Sequence, residues 1–230
     1  MAQLNPTSHT GPVAAPGSDQ APRIPPKPTT PRGSIRVCAT APHLLYTHTC
    51  EDGDVTTYVA LLRGINLGAT NKIAMPALRA MTEELGYTDV ATYINSGNLI
   101  FRTSKKAATV ERALSGAIAD TFGLTIDVMV RTEAQLKKVL DDNPYPDANP
   151  SQLTVAFLAK APGPEAEKRV AAAAAEHEPF TFGDRCVYVN YSHGLANSKL
   201  AAQFSSIIGV SSTVRTIRTV AKLAQMSAKL

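Results

Sequence analysis

The chain has 230 residues, 44% of them apolar, and a formal net charge of +4, enough length and apolar material for one large or two small folded domains. Its three cysteines, Cys38, Cys50 and Cys186, form no C-x-x-C pair, which excludes a disulfide-built miniprotein and a zinc ribbon and points to a reducing, cytoplasmic compartment. No stretch nears the roughly 18 consecutive apolar residues of a membrane span, and the modest charge permits a polyanionic partner without demanding one.

Residues 1–54 carry prolines without periodicity, as in Arg23-Ile24-Pro25-Pro26-Lys27-Pro28, and proline removes the donors that helices and sheets require. A disordered tail is expected there. The folded pattern begins at Val55, whose codon can also serve as a start, so translation is expected to begin near it. Thr57 to Leu62 is then a continuous apolar run ending at Gly64, which predicts a strand covered on both faces and central in its sheet. Met75-Pro76 opens a helix carrying Leu78, Met81 and Leu85, closed by Gly86. Val90–Ile94 and Leu99–Arg102 flank Asn95-Ser96-Gly97-Asn98, residues that tolerate positive φ, so a hairpin follows. Val110, Leu114, Ile118 and Phe122 mark a second helix ending at Gly123, and Leu124–Arg131 returns as a strand. Thr132 and Gln135 have the spacing of a capping box for a third helix with Leu136, Val139 and Leu140 on its buried stripe.

Asn143-Pro144 ends that helix and opens a joint. Leu153–Leu158 is the next strand, Pro164–Glu176 an alanine-rich helix, and Phe180–Phe182 with Cys186–Tyr191 a second hairpin. Cys186 reads as an apolar strand residue, and His177 and His193 as isolated. Asn197 can cap a helix carrying Leu200, Phe204 and Ile208, ended by Gly209. A last helix is expected from about Thr213. The fold class is therefore α+β: a ferredoxin-like βαββαβ half over residues 55–143, and a related βαββα half over 144–230 with a helix in place of its fourth strand.

These elements carry a resemblance. Tyr58 to Gly68 (YVALLRGINLG), Thr92 to Phe101 (TYINSGNLIF), Gly194 to Leu200 and Val220 to Leu223 resemble the bacterial family called domain of unknown function 1697, over about residues 56–230. The resemblance implies two ferredoxin-like subdomains and no established activity. Where the family commonly has an Asn-Trp pair, this chain has Thr216-Ile217.

The functional signal is charge asymmetry. From Arg185 onward there is no acidic residue, while Arg185, Lys199, Arg215, Arg218, Lys222 and Lys229 are basic. Arg215, Arg218 and Lys222 fall at i, i+3, i+7, one stripe of the expected last helix. The stripe is either a phosphate-binding patch or a solvated face neutralised by acids such as Glu83, Glu84, Asp141 or Asp142. Arg63-Gly64-Ile65-Asn66 leaves the first strand where glycines let N–H groups point at an anion, with Asn66, Asn71 and Lys72 as added donors. The P-loop spacing is absent. Ser96 and Asn98 are polar selectors in the hairpin turn, and Lys199 stands at a strand-to-helix entry. The expected ligand-binding set is Arg63, Asn66, Lys72, Ser96, Asn98, Lys199, Arg215 and Arg218, gathered in a basic cleft between the halves around a small phosphorylated or carboxylated ligand. No metal, cofactor or catalytic base is expected, and oligomeric state is left open. The alternatives are a nucleic-acid module with Tyr93 or Tyr191 exposed for stacking, and a scaffold without ligand.

Overall fold

The computed structural model describes residues 54–230, so the expected tail lies, but for Asp54, outside the described residues. Two four-stranded antiparallel sheets follow one another along the chain. The first half runs β1 (Thr56–Leu62), α1 (Met75–Glu84), β2 (Thr88–Tyr93), β3 (Asn98–Thr103), α2 (Ala107–Phe122), β4 (Val128–Thr132) and α3 (Glu133–Asp141). The second runs β5 (Leu153–Leu158), α4 (Ala166–Ala173), β6 (Phe180–Gly183), β7 (Cys186–Asn190), α5 (Lys199–Ile208), β8 (Ser212–Thr216) and α6 (Ile217–Ser227). The sheet orders are β2-β3-β1-β4 and β6-β7-β5-β8, and every strand pair is antiparallel. Both halves have the ferredoxin-like arrangement.

The central strands are apolar on both sides because both sides are covered. Tyr58, Ala60 and Leu62 face α1 and α2 in one core, while Val59 and Leu61 join Val155, Phe157, Tyr188 and the stripes of α3 and α6 in a core shared by the halves. A third core packs α4 and α5 on the outer face of the second sheet.

The second half departs from expectation at its end. Ser212–Thr216 is a fourth strand, paired with β5 from Thr154↔Thr216 to Leu158↔Ser212, and the last helix begins only at Ile217. Thr213, Val214 and Thr216 are β-branched and suit a strand. Helix α5 likewise begins later than expected: Ser198 caps it, accepting from Ala201 N–H, and Asn197 belongs to a preceding 3-10 turn, Leu195–Asn197.

The first-half capping box is present, with Thr132 accepting from Gln135 N–H and Gln135 accepting from Thr132 N–H. Thr132→Ala is expected to lower the unfolding free energy by about 1 kcal/mol, read as a lower urea midpoint at unchanged slope; an unmoved midpoint would show that the cap contributes nothing.

Candidate functional site

The predicted residues divide between a closed network and scattered surface cations. Arg215 lies in β8 and is buried, so it does not share a helical stripe with Arg218 and Lys222, which sit in α6. Its guanidinium is fully engaged across the seam. The Nε donates to Asn98 Oδ1 at 2.6 Å, and Nη2 donates to Leu62 O at 2.9 Å, Ser96 O at 2.9 Å and Gly97 O at 3.3 Å. Nη1 donates to Thr213 Oγ1 and Val214 O, each at 2.8 Å. Burial presses its pKa down to about 10, still well above neutral pH, so the side chain is a cation held by neutral acceptors. Asn98, also buried, donates to Tyr93 O at 2.9 Å and Ser96 Oγ at 3.0 Å. Ser96, Asn98 and Arg215 thus meet as a bolt between the halves, with the Arg215 guanidinium and the Asn98 carboxamide N–H groups all engaged.

Asn66 pins a loop: its Nδ2 donates to Ile73 O at 3.0 Å and Asn95 O at 2.8 Å, and its Oδ1 accepts from Ile73 N–H at 3.0 Å. Arg63 leaves the end of β1 half-exposed, 3.2 Å from Asp127 Oδ2 and 3.3 Å from Ser211 Oγ. The surface dip beside Arg63 is lined by Ser205, Ser206 and Gly209 at the end of α5, where the helix dipole is negative. With Asp127 already beside it, that position repels an anion. Lys72, Lys199 and Arg218 are exposed, and no hydrogen bond or shared pocket joins them among the described residues. Asp141 and Asp142, expected to neutralise α6, pair within α3 with Lys137 at 2.6 Å and Lys138 at 2.7 Å. Tyr191 is buried and Tyr93 half-buried, so neither offers an open stacking face. His177 and His193 are a stacked exposed pair, 4.1 Å apart at the ring centroids. Among the described residues no group of three His, Cys, Asp or Glu side chains could hold a metal.

An inter-half cleft does exist, built from other residues. Arg131, Gln135, Lys138, Val139 and Asp142 line it from β4 and α3, and Asp184, Arg185, Cys186 and Tyr188 from the second hairpin. Arg131 is buried; its Nη1 donates to Val130 O at 2.9 Å and its Nη2 to Leu158 O at 2.7 Å and Arg185 O at 3.1 Å. Its Nε has no partner among the described residues. Arg185 donates through Nη2 to Ala159 O at 2.7 Å, lies 4.0 Å from Glu111, and has a buried Nε without a partner. Burial first, then repulsion by the neighbouring Arg185, presses the Arg131 pKa down to about 10, so Arg131 stays charged at neutral pH. Burial pushes the Cys186 thiol upward, so it stays protonated and offers no nucleophile. Tyr188 OH donates to Val139 O at 2.8 Å and closes the floor.

A family model described as protein of unknown function (DUF1697) matches residues 55–188. The chain belongs to the DUF1697 family. No curated protein matches it. Among solved structures, it is similar to a conserved bacterial protein, SP0830 from Streptococcus pneumoniae, at 23% identity and a TM-score of 0.59, covering 75% of this chain and 99% of that one. At that identity the likeness is one of fold. Arg131, Lys138, Arg185 and Cys186 lie inside the DUF1697 match; Arg215 lies beyond it.

The signal for the cleft was in the sequence as a repeat. Val130-Arg131-Thr132 and Val214-Arg215-Thr216 are the same tripeptide, each ending a strand whose threonine caps the next helix. One arginine therefore implies the other.

Proposed function

We propose that this protein binds a small phosphorylated or carboxylated ligand in the cleft between its halves, held by Arg131 and Arg185 with Lys138 at the mouth. The observation that carries the reading is that two arginines line one recess and each has an Nε donor without a partner among the described residues. Arg131 is buried beside the charge of Arg185, which lowers its pKa, and an anion beside the two offsets that repulsion and gives the free donors an acceptor. Lys138 is neutralised by Asp142, and Asp184 also stands at the rim, so the attraction is concentrated inward. The proposed site thus keeps the inter-half position expected from the sequence but not its residues.

Binding nucleic acid is the weaker reading. The inner faces of both sheets are covered by each other with α3 and α6, and the outer faces by α1, α2, α4 and α5, leaving no open sheet face for bases among the described residues.

Thermal unfolding in sodium acetate or sodium phosphate, matched in ionic strength with chloride, tests the proposal. At least one of the two is expected to stabilise the wild type progressively, by about 2.7 kcal/mol at a hundredfold excess over Kd, and Arg185→Gln to lose the effect. Equal responses from wild type and R185Q, or none to either anion, would remove this function.

A further inference from the structure

The two halves are equivalent residue for residue around their arginines. Arg131 Nη2 reaches Leu158 O, at the end of β5, at 2.7 Å, and Arg215 Nη2 reaches Leu62 O, at the end of β1, at 2.9 Å. Residues 185 and 97 both hold left-handed backbone, with φ of 50° and 77°. The carbonyl of each accepts from the opposing arginine of the other half and from the N–H of its own half's Leu158 or Leu62. Register completes the match: Asn98 stands opposite Leu61 and Cys186 opposite Phe157, each one residue before that leucine.

The equivalence breaks at one atom. Around Arg215, the carboxamide oxygen of Asn98 fills the Nε position at 2.6 Å. Around Arg131, Cys186 stands in that place with no side-chain oxygen, and the recess that it helps line has a volume of about 30 Å³, space for roughly two or three water-sized groups by the volume a buried water needs. Resting on the anion-binding reading above, we infer that the ligand is a carboxylate, its flat two-oxygen head taking the place beside Arg131 Nε that Asn98 takes beside Arg215. A carboxylate brings two coplanar acceptors for the Arg131 Nε donor and the neighbouring Arg185 guanidinium, the same flat head that the Asn98 carboxamide offers Arg215, a shape that a tetrahedral phosphate does not share. The remainder of the ligand leaves through the mouth between Lys138, Asp142 and Asp184.

Calorimetric titration of the full chain with sodium acetate and sodium phosphate at matched ionic strength separates the possibilities. Acetate is expected to bind at least tenfold more tightly than phosphate. Cys186→Asn, which copies the Asn98 plug into the cleft, is expected to weaken acetate at least tenfold, while Cys186→Ala retains it. Phosphate binding tighter than acetate, or C186N binding acetate like the wild type, overturns the carboxylate assignment while leaving anion binding intact if R185Q still abolishes it. No binding of either anion to the wild type removes both. If C186N does not fold, the assigned Nε–Hε resonance of Arg131 in the wild type decides: movement on adding acetate supports the assignment, and a resonance that stays put while acetate binds overturns it.

Discussion

Arg215→Met should lower the unfolding free energy by about 3–5 kcal/mol, the range for breaking a buried charged network. The side chain is 8% exposed, and Ser96 O and Asn98 Oδ1 take their hydrogen bonds across the seam from it. Each buried acceptor left bare costs about 1–3 kcal/mol. Removing the guanidinium also relieves its burial, which presses its pKa down to about 10 and so opposes part of the loss. That relief is smaller than what is lost, because bonds from a charged donor are worth about 1.5–3 kcal/mol each and four of the acceptors lie in the other half. For a folded region of this size the melting temperature should fall by roughly 10 °C. Arg215→Lys should rescue little, because one ammonium cannot reproduce a planar fork that touches six acceptors. Urea unfolding measures the change, and a loss under 1 kcal/mol would show that the bolt does not hold the halves together.

Gly97→Ala is expected to cost about 2–5 kcal/mol. The residue holds φ of 77°, where an L side chain costs about 1–2 kcal/mol, and a Cβ there would sit 2.8 Å from Leu62 Cβ and 2.8 Å from Ile65 Cδ1. Leu62 Cβ belongs to the central strand and cannot retreat, so overpacking adds about 1–3 kcal/mol. Gly86 isolates the two effects: its φ is 79° but no atom lies within 4 Å of its virtual Cβ, so Gly86→Ala should show the backbone cost alone. If the two variants lose equal stability, the close approach of the hairpin to β1 has no energetic weight.

The first half was legible because its local signals agree with its packing. The apolar run of β1, Pro76 at the start of α1, the left-handed Gly97 and Gly123, and the Thr132 cap all appear where the chain pattern places them. Strand β8 was not, because Ser212, Thr213 and Arg215 are buried polar residues that blur the alternation of a strand, while Ile217 and Val220 continue a helical spacing beyond it. The C-terminal run of cations was visible, but its meaning was not. A guanidinium is expected in water, and what removes Arg215 from it is a set of carbonyls and one carboxamide more than 110 residues earlier in the chain. The cleft itself pairs β4 with the second hairpin, Arg131 with a carbonyl 54 residues away, a juxtaposition that local spacing does not encode. Only the repeated Val-Arg-Thr points to it, and it does so once β8 is recognised as the partner of β4.

A crystal of the full chain grown in sodium acetate addresses the cleft most directly. Flat two-oxygen density within hydrogen-bond distance of the Arg131 and Arg185 Nε atoms, with the Arg215 site still occupied by Asn98, is the predicted result. Water alone beside Arg131, with acetate found only on the outer surface or not at all, would contradict it.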